Sequence, residues 1–357
     1  MYEKESARCE FPKWSCPVLA FTDEFTRKDL TMERILIQVE HLQKTYDTYS
    51  PNKKTRDSVT AVNDVSFTIQ KGSIMGLIGE SGCGKSTVGK TMLNLVPANG
   101  GRVCFNGIEL FDVENKRKLP QKQLQHLRKD MQIVFQDPYS ALDPKRKILD
   151  TVTEGAIKHG LCSKKNARDY ALRYLNACGI DSNSLLRYPH EFSGGQRQRI
   201  NIARSLALEP EFLICDEVTA ALDVSVQSQI LNLLLDLREK YGLTILVISH
   251  NIDVVHHLCD NVAVMYLGRI VEMADAKELY NSPAHPYTKL LLSSIPIREP
   301  EERNRNREFI NGSLEFKKSI TGCPFHSRCD QCNEFCVHSI PALAEVSPGH
   351  FSACWNK

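Results

Sequence analysis

The run Gly79-Glu80-Ser81-Gly82-Cys83-Gly84-Lys85-Ser86-Thr87 has the residue types and spacing of a phosphate-binding loop. Its glycines let consecutive backbone N–H groups curl around phosphate oxygens with no Cβ in the way, and a following helix adds its positive end. Lys85 then reaches the β- and γ-phosphates, and the Ser86 hydroxyl is placed to ligate Mg²⁺. A second constellation is Phe212-Leu213-Ile214-Cys215-Asp216-Glu217, an apolar run that ends in two carboxylates. Such a run puts acids at the carboxyl edge of a parallel sheet, where ligands of open α/β folds bind. Asp216 is suited to hold Mg²⁺ through a water, and Glu217 to orient an attacking water and take its proton. His250 closes the apolar run Thr244–Ser249 on the same kind of edge, where an imidazole can donate to a γ-phosphate. Ser193-Gly194-Gly195-Gln196 precedes Ile200, Ala203, Leu206 and Ala207 at helical spacing. A serine N-cap and two glycines make a second anion-seeking helix start. One phosphate loop plus one such start in a single chain points to two chains sharing two nucleotides.

These residues need a sheet and helices to hold them. Ile35–Val39 and Val65–Ile69 alternate like half-buried strands, and Ile74–Ile78 is a short apolar run that enters the loop. Helical spacing follows from Ser86 to Leu95. Phe212–Cys215 and Thr244–Ile248 read as buried parallel strands. Between them Val226, Ile230, Leu233, Leu234, Leu237 and Tyr241 repeat at helical spacing, and Gly242 supplies the stop. Residues about 140–204 carry helical spacing with few β-branched runs, predicting an all-α insert. The charged stretch 115–131 reads as helix or loop, residues 1–33 as a polar extension, and Arg298–Arg307 as a charged linker. No internal repeat is visible.

The 357 residues are 42% apolar and 25% charged, which excludes a disordered, collagen-like or disulfide-stapled chain. With 45 basic and 43 acidic side chains, a net charge of +2 provides no global field for nucleic acid. No apolar stretch approaches the ~20 residues that span a bilayer. Residues 1–31 lack the apolar region of a secretory signal, so a cytosolic location is expected. Cys323, Cys329, Cys332, Cys336 and Cys354 crowd into the C-terminal end, and such clustering in a cytosolic chain favours metal over disulfides. The spacing C-x5-C-x6-C-x17-C of Cys323, Cys329, Cys336 and Cys354 is wider than the short pairs typical of zinc sites. Four thiolates can hold a [4Fe–4S] cube. Cys332 is an extra thiol, and His326, His338 and His350 keep Zn²⁺ open as the alternative.

Taken together, these motifs resemble the nucleotide-binding subunits of ABC transporters. Phe192-Ser193-Gly194-Gly195-Gln196-Arg197-Gln198-Arg199 looks like the family's signature loop, Gln136 in Val134-Phe135-Gln136-Asp137-Pro138 like its Q-loop, and Ala221-Leu222-Asp223 like its D-loop. Tyr46 stands where the family stacks an aromatic ring on adenine. The sequence departs from the commonest pattern at Val218, where proline is usual, and at Ala220, where serine often stands. The resemblance implies ATP and Mg²⁺, with Gln136 touching Mg²⁺ and the γ-phosphate beside Ser86 and Asp216. It also implies head-to-tail pairing in which Ser193, Gly194, Gly195, Gln196 and Asp223 serve the partner's ATP. The partners implied are two transmembrane permease subunits, a second ATPase subunit (identical or paralogous) and, indirectly, a solute-binding protein. The place implied is the cytoplasmic face of the inner membrane.

Tyr280-Asn281-Ser282-Pro283-Ala284-His285-Pro286-Tyr287-Thr288-Lys289, then Ile295-Pro296, resembles the oligopeptide/dipeptide/nickel importer branch. So do Ala221-Leu222-Asp223-Val224-Ser225-Val226-Gln227 and the tail Gly322-Cys323-Pro324-Phe325-His326-Ser327-Arg328-Cys329. Within that branch the resemblance favours the [4Fe–4S] cluster for the tail. Dipeptide, longer peptide, nickel and glutathione-like cargo all fit. The expected fold is an α/β P-loop NTPase (ABC-type ATPase) core at residues 34–290, with the all-α insert inside it. A small Cys-rich C-terminal module at residues 291–357 follows. The competing expectation is a soluble ABC-type ATPase acting on nucleic acid or ribosomes. The single ATPase unit, the lack of a long coiled-coil insertion and the near-zero charge oppose it.

Overall fold

A computed structural model describes residues 35–50, 55–220, 222–293 and 321–356. The N-terminal extension, Ala221, Ile295-Pro296 and the Arg298–Arg307 linker lie outside the described residues. In chain order the strands are β1 (Ile35–Ser50), β2 (Thr55–Gln70), β3 (Ile74–Ile78), β4 (Gly100–Phe105), β5 (Ile108–Asp112) and β6 (Arg117–Lys118). Then come β7 (Met131–Val134), β8 (Phe212–Asp216), β9 (Thr244–Ser249), β10 (Asn261–Tyr266), β11 (Arg269–Asp275), β12 (Ala344–Ser347) and β13 (His350–Ser352). The described residues within Met1–Gln70, Met75–Lys118 and Ser249–Lys357 form one compact unit, and those within Lys71–Ile74 and Leu119–Ile248 a second.

The first unit holds two sets of strands. An antiparallel sheet runs β2-β1-β4-β5-β6. β1 and β2 extend well past the alternating segments Ile35–Val39 and Val65–Ile69, because their register shifts at bulges such as Val39/Leu42 and Lys44/Thr45. Each shift moves the buried positions to the other face, so strict alternation breaks while pairing continues. The other set runs β12-β13-β11-β10-β3, with β3 parallel to β10 and the remaining pairs antiparallel. Strand β13 of the cysteine-rich tail therefore pairs with β11 through Glu272↔Ser352 and Met273↔Phe351. The helix after the phosphate loop spans Lys85–Met92 and stops short of Leu95. Asn94 takes a left-handed turn (φ 50°) there and donates its N–H to the Thr91 carbonyl, a conformation that Asn tolerates.

A buried carboxylate anchors the tail strand. Glu272 is fully buried and accepts the N–H groups of Ala284 (2.7 Å) and His285 (2.9 Å) and the His350 Nε2–H (2.6 Å). Burial pushes His285 down to about 4 despite the nearby Glu272, whereas the hydrogen bond to Glu272 pushes His350 up, with Glu278 adding to the rise. His285 is thus folded as the neutral ring, and Lys289 is the other charge that acts on it. Its contribution is present above the ordinary histidine value and lost as pH falls toward 4, on the order of 3 kcal/mol. His350 has the opposite sign: its contribution is complete below the ordinary value and is lost as pH rises through its raised one. Thermal unfolding should therefore show stability declining on both sides of neutrality. His350→Gln should flatten the alkaline limb and leave the acid limb; an unchanged alkaline limb in that variant would contradict this assignment.

In the second unit β9, β8 and β7 lie side by side and parallel, with Phe212 opposite both Met131 and Thr244. Among the described residues no strand falls between β7 and β8. That stretch instead carries the helices Pro138–Ala141, Ile148–Lys158, Ala167–Ala177 and Gly194–Leu206, with two short 3₁₀ turns. The three longer helices pack on one another over Val152, Ala156, Ala171, Tyr174, Leu175, Ile200 and Ala203, all buried. The helix between β8 and β9 spans Val224–Tyr241 and ends on Gly242 in the left-handed region, as its spacing predicts. The charged stretch 115–131 divides into strand β6, the helix Gln121–Leu127 and the start of β7.

Candidate nucleotide-binding site

In the first unit the chain leaves β3 at Ile78, turns through Gly79–Gly84 and enters the helix Lys85–Met92. Gly84 sits at φ 109°, and a Cβ there would meet the Ala61 carbonyl oxygen at 2.0 Å, so only glycine lets the loop lie against β2. Lys85 is 4% exposed, and its Nζ donates to the carbonyls of Gly79 (2.7 Å) and Glu80 (2.9 Å). The lysine charge is thereby held inside the loop. Cys83 is buried beneath it, and burial pushes its thiol up while Lys85 opposes that rise. Ser86 and Thr87 are half-buried in the first turn, and Ser81 and Gly82 are exposed. Backbone N–H groups, a helix start and an ammonium fit a polyphosphate, and the Ser86 hydroxyl supplies an oxygen of the kind Mg²⁺ takes. Tyr46 lies exposed on β1, with Lys44 Nζ 5.0 Å from its ring centre. His250 is exposed just past β9.

In the second unit Asp216 ends β8 and is 4% exposed. Glu217 follows at φ 47°, a left-handed backbone that costs a non-glycine residue roughly 1–3 kcal/mol. Its N–H donates to the Ile248 carbonyl at 2.9 Å, fixing the turn that carries the carboxylate. Gln136 is exposed beyond the end of β7. Ser193 caps the helix Gly194–Leu206 as its residue type predicts: its Oγ accepts the Gln196 N–H, and Gln196 Oε1 accepts the Ser193 N–H. A Cβ on Gly195 would meet Val226 at 2.5 Å, so close packing demands that glycine independently of any ligand. Arg197 is committed to structure, donating to the Pro189 and His190 carbonyls and lying 4.0 Å from the Tyr139 ring centre. Asp223 is exposed at the start of the helix Val224–Tyr241.

The tail thiols gather without forming a ligand cage. Cys323, Cys336 and Cys354 are buried and Cys329 is half-buried, while Cys332 faces solvent. Burial, with smaller contributions from Cys336 and Cys354, pushes Cys323 and Cys329 up to about 11. Among the described residues no group of three or more His, Cys, Asp or Glu side chains is arranged to hold a metal ion. These donors as folded thus lack the arrangement of the [4Fe–4S] or Zn²⁺ centre expected from the cysteine clustering and the family resemblance. Sequence reasoning also passed over Arg328 and Glu272. Arg328 sits inside the Gly322–Cys329 motif, but its partner Glu80 lies 248 positions away, and Glu272 lies in no motif.

A glycine-rich loop that buries its lysine at a helix start defines a P-loop nucleotide-binding protein. Residues 62–220 match the ABC transporter family, and residues 271–336 match the oligopeptide/dipeptide transporter C-terminal region. A Brucella ovis protein described as a peptide import ATP-binding protein is 42% identical over 323 residues, covering 90% of this chain and 98% of its own. The oligopeptide transport ATP-binding protein OppF of Bacillus subtilis is 42% identical over 325 residues, covering 90% and 97%. Among solved structures, a dimeric post-hydrolysis state of the ATP-binding cassette MJ0796, bound to ADP and Pi, aligns with a TM-score of 0.59. That alignment has 27% identity and covers 68% of this chain and 99% of that one. The chain belongs to the ABC transporter family, as an ATP-hydrolysing subunit of its oligopeptide/dipeptide branch. No helix among the described residues is long and apolar enough to cross a membrane.

Proposed function

We propose that this chain energises the import of peptides, binding and hydrolysing ATP while partner subunits form the path through the membrane. The observation that carries this reading is the presence, in one chain, of an ATPase match and the oligopeptide/dipeptide C-terminal match. In this reading residues 34–290 are the ATPase domain, with residues about 140–204 as its helical insert, and residues 291–357 are the branch-specific C-terminal region. Tyr46 stacks on adenine, and the N–H groups of Gly79–Thr87 with Lys85 hold the β- and γ-phosphates. Ser86, Gln136 and Asp216 would hold Mg²⁺, which would draw negative charge off the phosphate oxygens. Glu217 orients the water and takes its proton, and His250 donates to the γ-phosphate. Ser193, Gly194, Gly195, Gln196 and Asp223 act on the ATP of a second ATPase subunit. Positioning and charge stabilisation together provide the rate enhancement.

Two permease subunits are the proposed partners, at the cytoplasmic face of the inner membrane, with a solute-binding protein acting through them. Capture of the chain from native membranes in mild detergent should bring down membrane-spanning subunits and a second ATPase, identical or paralogous. Recovery only in the soluble fraction with ribosomes or DNA-binding proteins would overturn the transport reading and favour the soluble ATPase. Iron with sulfide, or zinc, found stoichiometrically in anaerobically purified chain would restore a metal to the tail thiols.

A further inference from the structure

The phosphate loop is gripped from outside by two residues that belong to none of its motifs. Tyr287, fully buried in the helix Pro286–Ser293, accepts the Glu80 backbone N–H on its hydroxyl at 2.9 Å. Arg328 of the tail forms a two-pronged ion pair with the Glu80 carboxylate, at 3.0 Å through Nη1 and 2.9 Å through Nη2. The two side chains are only 9% and 19% exposed. Arg328 also donates to the Tyr266 hydroxyl at 3.3 Å. Tyr266, Tyr287 and Phe325, all buried, form one aromatic cluster with ring centres 4.6–5.4 Å apart. Glu80 is thus fixed at both its backbone and its side chain by the C-terminal part of the chain.

The backbone contact bears directly on Lys85. The Gly79 carbonyl and the Glu80 N–H are the two ends of one peptide group: Lys85 Nζ bonds the first and Tyr287 the second. Turning that peptide would move the lysine that meets the phosphates. The side-chain contact is electrostatic. Glu80 is the only acid in Gly79–Thr87, and a carboxylate there opposes a triphosphate unless a cation neutralises it. A sheltered, two-pronged guanidinium–carboxylate pair does this far better than an exposed one.

We infer that Tyr287 and Arg328 are positioning residues for Mg-ATP, so that the C-terminal region sets the phosphate loop as well as completing the fold. The inference rests on the ATPase reading of the loop. It is tested on the full chain by titrating Mg-ATP binding and following thermal unfolding in Arg328→Met, Arg328→Lys, Tyr287→Phe, Glu80→Gln and Glu80→Gln/Arg328→Met. Arg328→Met should weaken Mg-ATP about tenfold, Arg328→Lys less, and Tyr287→Phe about threefold. In the Glu80→Gln background the Arg328→Met loss should shrink below about threefold, because the carboxylate that Arg328 neutralises is gone. An affinity within twofold of wild type in both Arg328→Met and Tyr287→Phe, or an equal loss in both Glu80 backgrounds, would overturn the inference. The milder Arg328→Lys and Tyr287→Phe carry the test if Arg328→Met fails to fold. Wild-type chain that does not bind Mg-ATP would sink the ATPase reading itself; tight wild-type binding with indifferent variants would sink only this inference.

Discussion

Glu217→Gln should cut ATP turnover by about 10²–10⁴-fold while Mg-ATP still binds. The amide keeps the shape of the carboxylate but cannot take a proton from water, so the loss should fall on kcat and spare affinity. The backbone around Glu217 makes this substitution clean. Its φ of 47° and its N–H bond to the Ile248 carbonyl belong to the main chain, and glutamine leaves both in place. With hydrolysis blocked, two ATP-loaded chains should remain paired, visible as a nucleotide-dependent dimer by size-exclusion chromatography. Undiminished turnover in Glu217→Gln would refute its assigned role.

Gly84→Ala should destabilise the fold by roughly 3 kcal/mol or more and abolish nucleotide binding. At φ 109° an L side chain is strained wherever it stands, and here the added methyl would also lie 2.0 Å from the Ala61 carbonyl oxygen and 3.0 Å from the Met265 Cε. The methionine tip can swing away, but Ala61 lies within β2, whose backbone is held by pairing along β1. The loop has to give instead, carrying Lys85 and the helix start with it. Denaturant unfolding and a Mg-ATP titration together check this. Wild-type stability with retained binding would mean that the close approach of loop to strand is not maintained in solution.

The parts of this protein most legible in its sequence are those where one local rule decides the outcome. Ser193 reads as a cap because its hydroxyl needs only a neighbouring N–H, and Gly242 reads as a stop because the left-handed turn is local. The apolar runs at β3, β8 and β9 are legible because strands buried on both faces are filled mostly by apolar side chains. The full reach of β1 and β2 was hidden by their bulges, since a period-two pattern cannot survive a register shift. The hairpin of β4 and β5 also turns on a local rule, since Asn106-Gly107 is among the strongest short hairpin signals and both residues take left-handed backbone. The pairing of β13 with β11 and the Arg328–Glu80 contact are long-range, and no local pattern encodes which distant partner a buried ion pair takes.

The tail illustrates the same limit from the other side. Cysteine clustering and the family resemblance point to a metal centre, but ligation depends on where the sulfurs point, which nearness in sequence does not set. What the tail visibly does instead is structural: His350 meets the buried Glu272, and Arg328 meets the phosphate loop.

The central claim is that ATP hydrolysis by this chain drives peptides inward, and transport itself tests it most directly. Vesicles reconstituted with this chain and its membrane partners, loaded with Mg-ATP and given a labelled peptide with its binding protein outside, should accumulate the peptide. The same vesicles carrying Glu217→Gln, or loaded with ADP, should not. Equal accumulation in all three, or none with wild-type chain that hydrolyses ATP in the same vesicles, would contradict the account.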